Sequence, residues 1–129
     1  MQKNEQAVSF SLPHETDVVV VGAGPTGLML ACELALAGVD VVVLERLAER
    51  GGQSKGLNLQ PRTAEVFDLR GLLDPMRPDV IDTWGRGHFG GRPLRYDGWS
   101  TRHPYQVNVP QAAVERALED RLAQLGVRV

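Results

Sequence analysis

Three glycines with a fixed spacing follow a run of four valines near the start of the chain. Gly22, Gly24 and Gly27 form the pattern G-x-G-x-x-G directly after residues 18–21. In this pattern the first glycine makes a tight turn, the second lets a pyrophosphate approach the backbone, and the third lets a helix pack closely on the strand. The helix then presents its N-terminal N–H groups and positive dipole end to the phosphates. The stretch, which includes Pro25 and Thr26, therefore predicts a dinucleotide-binding site.

An acidic residue stands at the end of the next apolar run. Glu45 lies 18 positions after Gly27 (45 minus 27), close to the roughly 20 positions expected for an acid that binds the ribose hydroxyls of a dinucleotide. Because a carboxylate would repel a 2′-phosphate, Glu45 favours a cofactor with a free 2′-hydroxyl, such as FAD or NAD. The alternative is an ordinary solvated carboxylate at the end of a strand.

The elements that position these residues can be predicted from the apolar runs. Four β-branched valines at 18–21 predict a strand buried on both faces, and residues 28–37 are apolar nearly all round, as in a helix buried against a sheet. Gly38 would end that helix, and residues 39–44 return as a second strand. A strand, helix and strand in this order require a right-handed parallel crossover. The predicted fold class is therefore α/β, with a Rossmann-like βαβ unit.

The middle of the chain has weaker patterns. Residues 50–58 form a polar, glycine-bearing loop, which is either a connector or a cover over a ligand. Residues 74–104 are rich in proline and glycine and predict turns and short antiparallel strands, for example at 80–84 and 94–96. The aromatic side chains of this region are predicted to pack, with an aromatic substrate wall as the alternative: Trp84, Phe89, Tyr96, Trp99 and Tyr105.

Two more helices are predicted. Pro61 is suited to the first position of a helix that runs to about Arg70, with an apolar face made of Val66, Leu69 and Leu73. A strand at 105–109 precedes a helix at 111–125, whose buried stripe is Val114, Leu118, Leu122 and Leu125. Gly126 would end that helix, and residues 127–129 look like the start of another strand.

Composition limits the classes of function. The 129 residues are 43% hydrophobic, enough for one domain, which we expect over residues 17–129 after a flexible N-terminal tail at 1–16. The net charge of -2 and the lack of a basic cluster argue against nucleic acid or anionic membranes as partners. There is no apolar run of about 18 residues to span a membrane. We therefore expect a cytoplasmic protein with a small-molecule partner.

Cysteine and histidine residues give no sign of a metal site or a catalytic group. Cys32 is the single cysteine and lies in the apolar helix, where we expect a small buried side chain. His14, His88 and His103 have no metal-ligand spacing and no acid or cysteine partner for transfer chemistry. We interpret each as a surface histidine or one with its hydrogen bonds satisfied, so the sequence predicts no catalytic residue and no metal.

Beyond the glycine motif, residues 16–129 resemble the flavin-dependent aromatic hydroxylases related to para-hydroxybenzoate hydroxylase. The resemblance is strongest to the branch that acts on aromatic polyketides and similar polycyclic phenols. The first two stretches that carry it occur in many flavoproteins, whereas the later ones are more specific in combination. The stretches are residues 17–27, Glu45-Arg46, residues 53–57, Pro61-Arg62-Thr63 with Glu65, and Val109-Pro110-Gln111 with Glu115 and Leu118.

The resemblance implies roles for individual residues around FAD. Glu45 would hold the adenosine ribose, and Arg46 would lie beside the adenine or its phosphate. Lys55 stands where this family often has an arginine that reaches toward the pyrophosphate and flavin, and a lysine lacks the planar fork of that arginine. Gln111 would contact the ribityl or phosphate region of FAD. The alternative for Gln111 is a helix-start residue that satisfies backbone N–H groups.

The resemblance also implies an activity. Similar enzymes reduce FAD with NADH or NADPH and use O₂ to transfer one oxygen atom to an electron-rich aromatic ring. They continue past this stretch with a substrate-binding sheet and a Gly-Asp FAD motif. We therefore expect this chain to be the N-terminal part of a longer enzyme, which could form a homodimer. The 129-residue chain alone is expected to bind FAD weakly, to turn over no substrate and to leave apolar sheet faces exposed.

Two alternatives come from other classes of function. An NAD-dependent dehydrogenase is disfavoured because no catalytic His, Tyr-Lys or Lys-Asp arrangement follows the motif. A non-catalytic interaction module that has lost its ligand would fold but bind neither nucleotide.

Overall fold

The computed structural model describes residues 15–49 and 54–129, and it begins with the predicted βαβ unit. Strand β1 (Val18–Val21) is followed by helix α1 (Pro25–Leu36) and strand β2 (Val41–Leu44). The two strands are parallel, with Val18 opposite Val41 and Val21 opposite Leu44. Gly38 has a φ of +77°, a backbone conformation that glycine adopts without strain, and it ends α1 as predicted. The α/β fold class is therefore confirmed.

Only one face of this small sheet is buried within the described part of the chain. Val20, Val41 and Val43 face the core, whereas Val19 is 51% exposed and Val21 is 83% exposed. The prediction that β1 is buried on both faces is therefore wrong, because among the described residues the helices pack on one side of the sheet. The exposed apolar face that the family resemblance implied is present.

Helix α1 is also less buried than its composition predicted. Leu28, Ala31 and Cys32 are fully buried, but Leu30 and Leu36 are 49% and 43% exposed. A 12-residue helix that packs on one sheet and one other helix has a remaining side that faces solvent.

A second, antiparallel sheet is formed by the middle of the chain. Its strands β3 (Asn58–Leu59), β4 (Asp82–Trp84) and β7 (Gln106–Asn108) are arranged with β7 in the centre. Strands β5 (Arg86–Phe89) and β6 (Arg92–Arg95) form a separate hairpin. Short antiparallel strands are confirmed for this region, but β4 begins at residue 82 instead of 80, β6 ends before residue 96, and β5 was not predicted.

The hairpin turn explains how β5 pairs with β6. Gly90 and Gly91 have φ values of +55° and +78°, and two central residues with positive φ match the twist of a two-residue hairpin. Glycine at both positions allows this turn without strain.

Helix α2 (Pro61–Leu69) has its predicted bounds but a different buried face. It buries Pro61, Ala64 and Phe67, while Leu69 is 67% exposed. The predicted face is therefore wrong at Leu69, because Phe67 enters the core instead. Val66 is half-buried, and Leu73, which lies beyond the end of this helix, packs partly buried against the core. Helix α3 (Leu73–Met76) and a 3₁₀ turn (Arg77–Asp79) follow.

Helix α4 (Gln111–Gln124) closes the described fold. It buries Val114, Leu118 and Leu122 as predicted, and Leu125 is half-buried. Residues 127–129 form no strand, contrary to the prediction. The Val43 amide nevertheless donates to the Arg128 carbonyl at 3.3 Å, so this segment reaches the side of β2.

The core lies between α1, α4 and the buried sheet faces. The Cys32 thiol lies 3.7 Å from the Leu118 carbonyl of α4, and burial raises the pKa of that thiol to about 11. The predicted buried role of Cys32 is confirmed. An ion pair on the surface links α1 to the end of α2, since Arg70 donates to both carboxylate oxygens of Glu33 at 2.7 Å.

Candidate functional site

The strand-to-helix turn is held in place by a close backbone contact at its third glycine. A Cβ atom on Gly27 would lie 2.0 Å from the carbonyl oxygen of Gly22 and 3.3 Å from a methyl group of Val20. No side chain fits at such distances, so α1 packs against the turn only because residue 27 is glycine. The structure therefore shows the physical role that was predicted for this position.

The first two glycines shape the turn itself. Gly22 has a φ of +106°, which L side chains rarely adopt, and its amide donates to the Leu44 carbonyl at 2.7 Å. Gly24 is the N-cap of α1, with extended backbone angles, and a Cβ there would meet no atom within 4 Å. The space beside Gly24 is thus open, as required of a cradle for a large anionic group.

The start of α1 lacks the side chains that usually neutralise a helix N-terminus. Pro25 is the first helical residue, Thr26 is exposed, and Gly24 contributes no side-chain cap. The first turn of α1 contains no acidic residue. The positive end of this helix dipole is therefore suited to an external anion.

Glu45 is tied directly to the glycine turn. Its Oε1 accepts a hydrogen bond from the Leu47 amide at 2.9 Å, and its Oε2 accepts one from the Ala23 amide at 2.8 Å. These backbone N–H groups, that of Leu47 first, lower the pKa of Glu45 below its ordinary value. The carboxylate is therefore ionised and fixed beside the turn, and each oxygen keeps acceptor capacity for a further donor.

Arg46 follows Glu45 and is exposed at the same end of β2. Its charge contributes to the lowered pKa of Glu45. One cluster thus lies at the carboxyl end of the parallel strands, where ligands bind in open α/β sheets. It consists of Gly22, Gly24 and Gly27, the helix start at 25–26, and residues 45–46.

A second corner brings Lys55 close to Gln111. The Gln111 amide donates to the Ser54 hydroxyl at 2.9 Å and to the Gly56 carbonyl at 3.1 Å, so the residues on both sides of Lys55 contact the start of α4. A Cβ on Gly56 would lie 3.3 Å from Oε1 of Gln111. Lys55 is exposed, and within the described ranges no ion pair involves it. Ser54 belongs to the stretch 53–57 that carries the family resemblance, but no role was predicted for it, because a lone serine in a polar loop carries no signal.

The capping alternative for Gln111 is wrong. Helix α4 has Pro110 as its N-cap and no side-chain capping bond. The side-chain Nε2 of Gln111 instead donates to the Glu115 carboxylate at 2.8 Å, one turn along the helix. Residues 50–53, which include Gln53 and begin the loop predicted from the sequence, lie outside the described residues.

The prediction that no histidine has an acidic partner is corrected for His103. His103 does have an acidic partner, since its Nε2 lies 3.0 Å from Asp68 and its Nδ1 lies 3.1 Å from the Tyr105 hydroxyl. The hydrogen bonds of His103 are satisfied, as expected. Its contact with Asp68 joins the loop at 99–105 to helix α2. His88 is exposed as predicted, and His14 lies outside the described residues.

The packing prediction for the aromatic residues holds for Tyr96, which is 1% exposed. It also holds for Tyr105, which is half-buried against the core, and for Trp99, whose ring packs edge-to-face on Tyr96 with a centroid distance of 5.0 Å. It is wrong for Trp84 and Phe89, which are 53% and 79% exposed. Trp84 and Phe89 stand on β4 and β5, away from the core between α1 and α4.

Comparison with known proteins relates this geometry to a family. The profile of the family described as "FAD binding domain" matches residues 15–129. Anhydrotetracycline monooxygenase of Streptomyces rimosus is 49% identical over 115 residues, which are 88% of this chain and 23% of that protein. Dialkyldecalin synthase of Streptomyces rugosporus is 43% identical over 112 residues, which are 87% of this chain and 24% of that protein.

A solved structure also has the same fold as this chain. CabE, an aromatic hydroxylase from angucycline biosynthesis, has a TM-score of 0.76 and 49% identity over 88% of this chain and 23% of its own. The chain therefore spans about a quarter of the length of the relatives that it matches. Across residues 15–49 and 54–129, no helix is both long enough and apolar enough to cross a membrane.

Proposed function

Because this chain belongs to the FAD-binding domain family, we propose that it is the FAD-binding part of a flavoprotein monooxygenase. The enzyme would hydroxylate a polyketide-like or phenolic aromatic substrate, with NADH or NADPH as co-substrate. The observation that carries the proposal is the Glu45 carboxylate, which is bonded to the backbone of the glycine turn at Ala23. An ionised carboxylate beside an open anion cradle supports the proposal, because an acid at this position accepts hydrogen bonds from ribose hydroxyls in dinucleotide-binding folds.

The adenosine half of FAD would occupy the first cluster. The pyrophosphate would lie against Gly24, where the backbone is open, and at the positive end of α1. The ribose hydroxyls would donate to Glu45, whose lowered pKa keeps the carboxylate ionised. Arg46 would flank the adenine or its phosphate. A 2′-phosphate in this position would meet the Glu45 charge, which favours FAD over NADP as the resident cofactor.

The flavin half would extend toward the corner of Lys55 and Gln111. Lys55 is exposed there and supplies a positive charge for the pyrophosphate or flavin. Gln111 is held at the start of α4 through Ser54 and Gly56, and its side chain would contact the ribityl or phosphate region. Bound FAD supplies the redox chemistry, so the part of this chain is to bind and orient the cofactor.

One relative favours a second candidate function. Dialkyldecalin synthase is 43% identical to this chain, and its name describes no oxygen transfer. The same cofactor domain could therefore belong to an enzyme that builds rings. An NAD-dependent dehydrogenase is not favoured, since the matching family binds FAD.

We further propose that the 129-residue chain alone turns over no substrate. It spans about 23% of the monooxygenase that it matches, and the outer face of β1 is largely exposed. A cytoplasmic location and a homodimer stay predictions, which fractionation and analytical ultracentrifugation of the full-length protein would test.

The proposal is tested with the purified full-length protein, reconstituted with FAD and mixed with NADH or NADPH under air in the presence of a panel of polycyclic phenols. A monooxygenase bleaches the flavin absorbance on reduction and yields a product that is one oxygen atom heavier by mass spectrometry. Flavin that is never reduced by either nicotinamide, together with conversion of a substrate to an isomer of equal mass, would favour the ring-forming alternative.

A further inference from the structure

The hairpin of β5 and β6 carries positive charge in a chain whose total charge is negative. Residues 86–97 contain three arginines and one acid, a net charge of +2 (3 minus 1), whereas the whole chain has a net charge of -2. The three arginines are exposed. They are separated along the sequence, and the antiparallel pairing of the two strands brings them into one small area: Arg86, Arg92 and Arg95.

Two of these arginines stand side by side on one face of the hairpin. Arg86 of β5 is directly opposite Arg95 of β6. Residues in this relation have Cα atoms roughly 5 Å apart and side chains on the same face. Like charges in such a pair destabilise a sheet. An anion bound between the two guanidinium groups would remove this repulsion.

The position of Gly87 shows which face of the hairpin is turned outward. A Cβ on Gly87 would collide with the Tyr96 hydroxyl group, and Tyr96 is fully buried. The side of β5 that carries residue 87 therefore packs on the protein. Because side chains alternate along a strand, Arg86 and His88 lie on the outward side, together with Arg95.

This outward face has fewer negative than positive groups. Asp97 is the single acid of residues 86–97, and its Oδ1 accepts a hydrogen bond from Nε of Arg95 at 3.4 Å. Asp82, on the neighbouring strand β4, accepts hydrogen bonds from Trp84 and Asn108. Within residues 15–49 and 54–129, no ion pair or side-chain hydrogen bond involves Arg86. Its guanidinium is therefore available to an external anion.

Two adjacent guanidinium groups match a phosphomonoester better than a carboxylate. Each planar guanidinium can donate two parallel hydrogen bonds to phosphate oxygens. A phosphomonoester carries close to two negative charges at neutral pH, so it can balance both Arg86 and Arg95. A carboxylate, or one phosphodiester group of a pyrophosphate, carries a single charge.

The hairpin also lies within reach of the corner assigned to the flavin half of FAD. Arg86 and Leu57 line the same groove, which has a volume of about 730 Å³. Leu57 is two residues from Lys55. A ligand that is anchored by a phosphate at Arg86 can therefore extend toward the corner of Lys55 and Gln111.

We propose that the outward face of the hairpin, formed by Arg86, His88 and Arg95, binds the 2′-phosphate of NADPH. The inference rests on the proposed function, because NADPH is one of the two co-substrates named there. The Glu45 carboxylate would repel a 2′-phosphate from the FAD cradle, so the hairpin gives this group a separate place. Arg86 and Arg95 are then binding residues that favour NADPH over NADH.

The test uses the full-length protein with FAD bound. Reduction of the flavin is followed anaerobically by stopped-flow absorbance over a range of NADPH or NADH concentrations, for the wild type, Arg86→Gln and Arg95→Gln. Each series gives a dissociation constant for the nicotinamide and a limiting rate of reduction. Arg92→Gln is the matched control, because it removes the same charge from the same hairpin but stands opposite Phe89 on the other face.

The expected change is confined to NADPH. Loss of a charge-assisted hydrogen-bond donor in Arg86→Gln should raise the dissociation constant for NADPH about tenfold. Arg95→Gln should raise it about threefold, since Asp97 already shares the charge of Arg95. The constant for NADH and the limiting rate should stay at their wild-type values. Arg92→Gln should match the wild type at about 0.15 M salt, where the screening length is about 8 Å.

Thermal stability separates a loss of binding from damage to the fold. Arg86→Gln removes a like-charge contact, so its melting temperature should equal or exceed that of the wild type. FAD content, measured by flavin absorbance, should be unchanged because Arg86 lies outside the cluster assigned to FAD. Weaker NADPH binding in a variant of undiminished stability supports the inference.

The two proposals fail in different ways. A wild-type protein whose flavin is reduced by neither nicotinamide contradicts the proposed co-substrate, and the hairpin inference with it. A wild type that NADPH reduces, while Arg86→Gln keeps wild-type NADPH affinity or weakens NADPH and NADH equally, overturns the hairpin inference alone. Equal weakening of NADPH in Arg92→Gln and Arg86→Gln would also overturn it, because the effect would then come from net charge.

Discussion

Replacing two glycines of the same motif separates close packing from ligand binding. In Gly27→Ala the new Cβ would lie 2.0 Å from the Gly22 carbonyl oxygen. That oxygen belongs to the backbone and cannot rotate away, so the start of α1 must move from the turn by about 1 Å to restore even a tight contact. In Gly24→Ala the new Cβ meets no protein atom within 4 Å.

The effect of Gly27→Ala on stability depends on two opposing energies, the cost of overpacking and the gain in helix propensity. Overpacking costs about 1–3 kcal/mol, and the upper part of that range applies where the obstacle is backbone. The better helix propensity of alanine returns at most about 1 kcal/mol. We therefore expect Gly27→Ala to lower the free energy of unfolding by roughly 1–2 kcal/mol. Gly24 has φ -76° and ψ 175°, which alanine also adopts. Gly24→Ala should therefore change the free energy of unfolding by less than about 0.5 kcal/mol.

FAD affinity should show a different pattern. Gly24→Ala puts a methyl group into the space assigned to the pyrophosphate, so its dissociation constant for FAD should rise about tenfold or more, equal to at least about 1.4 kcal/mol. The assays are urea unfolding of the apoprotein and FAD titration of the full-length protein, with Gly85→Ala as a control whose Cβ also meets no atom within 4 Å. Equal stability of Gly27→Ala and Gly24→Ala, or wild-type FAD affinity in Gly24→Ala, would refute the reasoning.

Three further predictions concern charged and buried groups. The Leu47 and Ala23 N–H groups lower the pKa of Glu45 from its ordinary value of 4.5. The ionised carboxylate therefore stabilises the fold fully above pH 4.5, and this stabilisation is lost as the pH falls through the lower pKa of the folded state. Glu45→Gln should therefore flatten the acid limb of the stability profile in urea unfolding, and an unchanged acid limb would contradict the anchoring. In a double-mutant cycle, Arg70 and Glu33 should show a small favourable coupling, because the pair is bidentate but more than one third exposed to solvent. A coupling of zero would show that the contact does not persist in solution. Cys32, buried and with a pKa raised to about 11, should resist iodoacetamide at pH 8 until the protein is unfolded, as measured by peptide mass spectrometry, and rapid labelling of the native protein would contradict its burial.

Local patterns were sufficient to predict the βαβ unit. The valine run, the three glycines and the acid at the end of β2 each depend on neighbours close in sequence, and the structure places them together at one end of the parallel pair. The bounds of α2 and α4 were also predicted well, because proline at the start and glycine after the end are local signals.

Long-range contacts account for the errors. The buried face of α2 depends on which neighbour receives Phe67, and an apolar count along one helix cannot show this. The exposure of Val19 and Val21 depends on what covers the outer face of the sheet. The Asp68–His103 contact joins residues 35 positions apart, and spacing rules for short motifs do not detect it.

The second sheet also combines a pattern that is visible in the sequence with contacts between distant residues. The alternation of Gln106, Val107, Asn108 and Val109 was visible in the sequence as a strand. The neighbours of its polar side chains became known only when β3 and β4 were placed on either side of it.

The central claim is that FAD binds across the glycine turn and Glu45, and a crystal structure of the full-length protein grown with FAD tests it most directly. The account predicts electron density for the pyrophosphate against Gly24 at the start of α1, with both ribose hydroxyls within hydrogen-bonding distance of the Glu45 carboxylate. Density for FAD at another surface, or a ribose that makes no contact with Glu45, would contradict it.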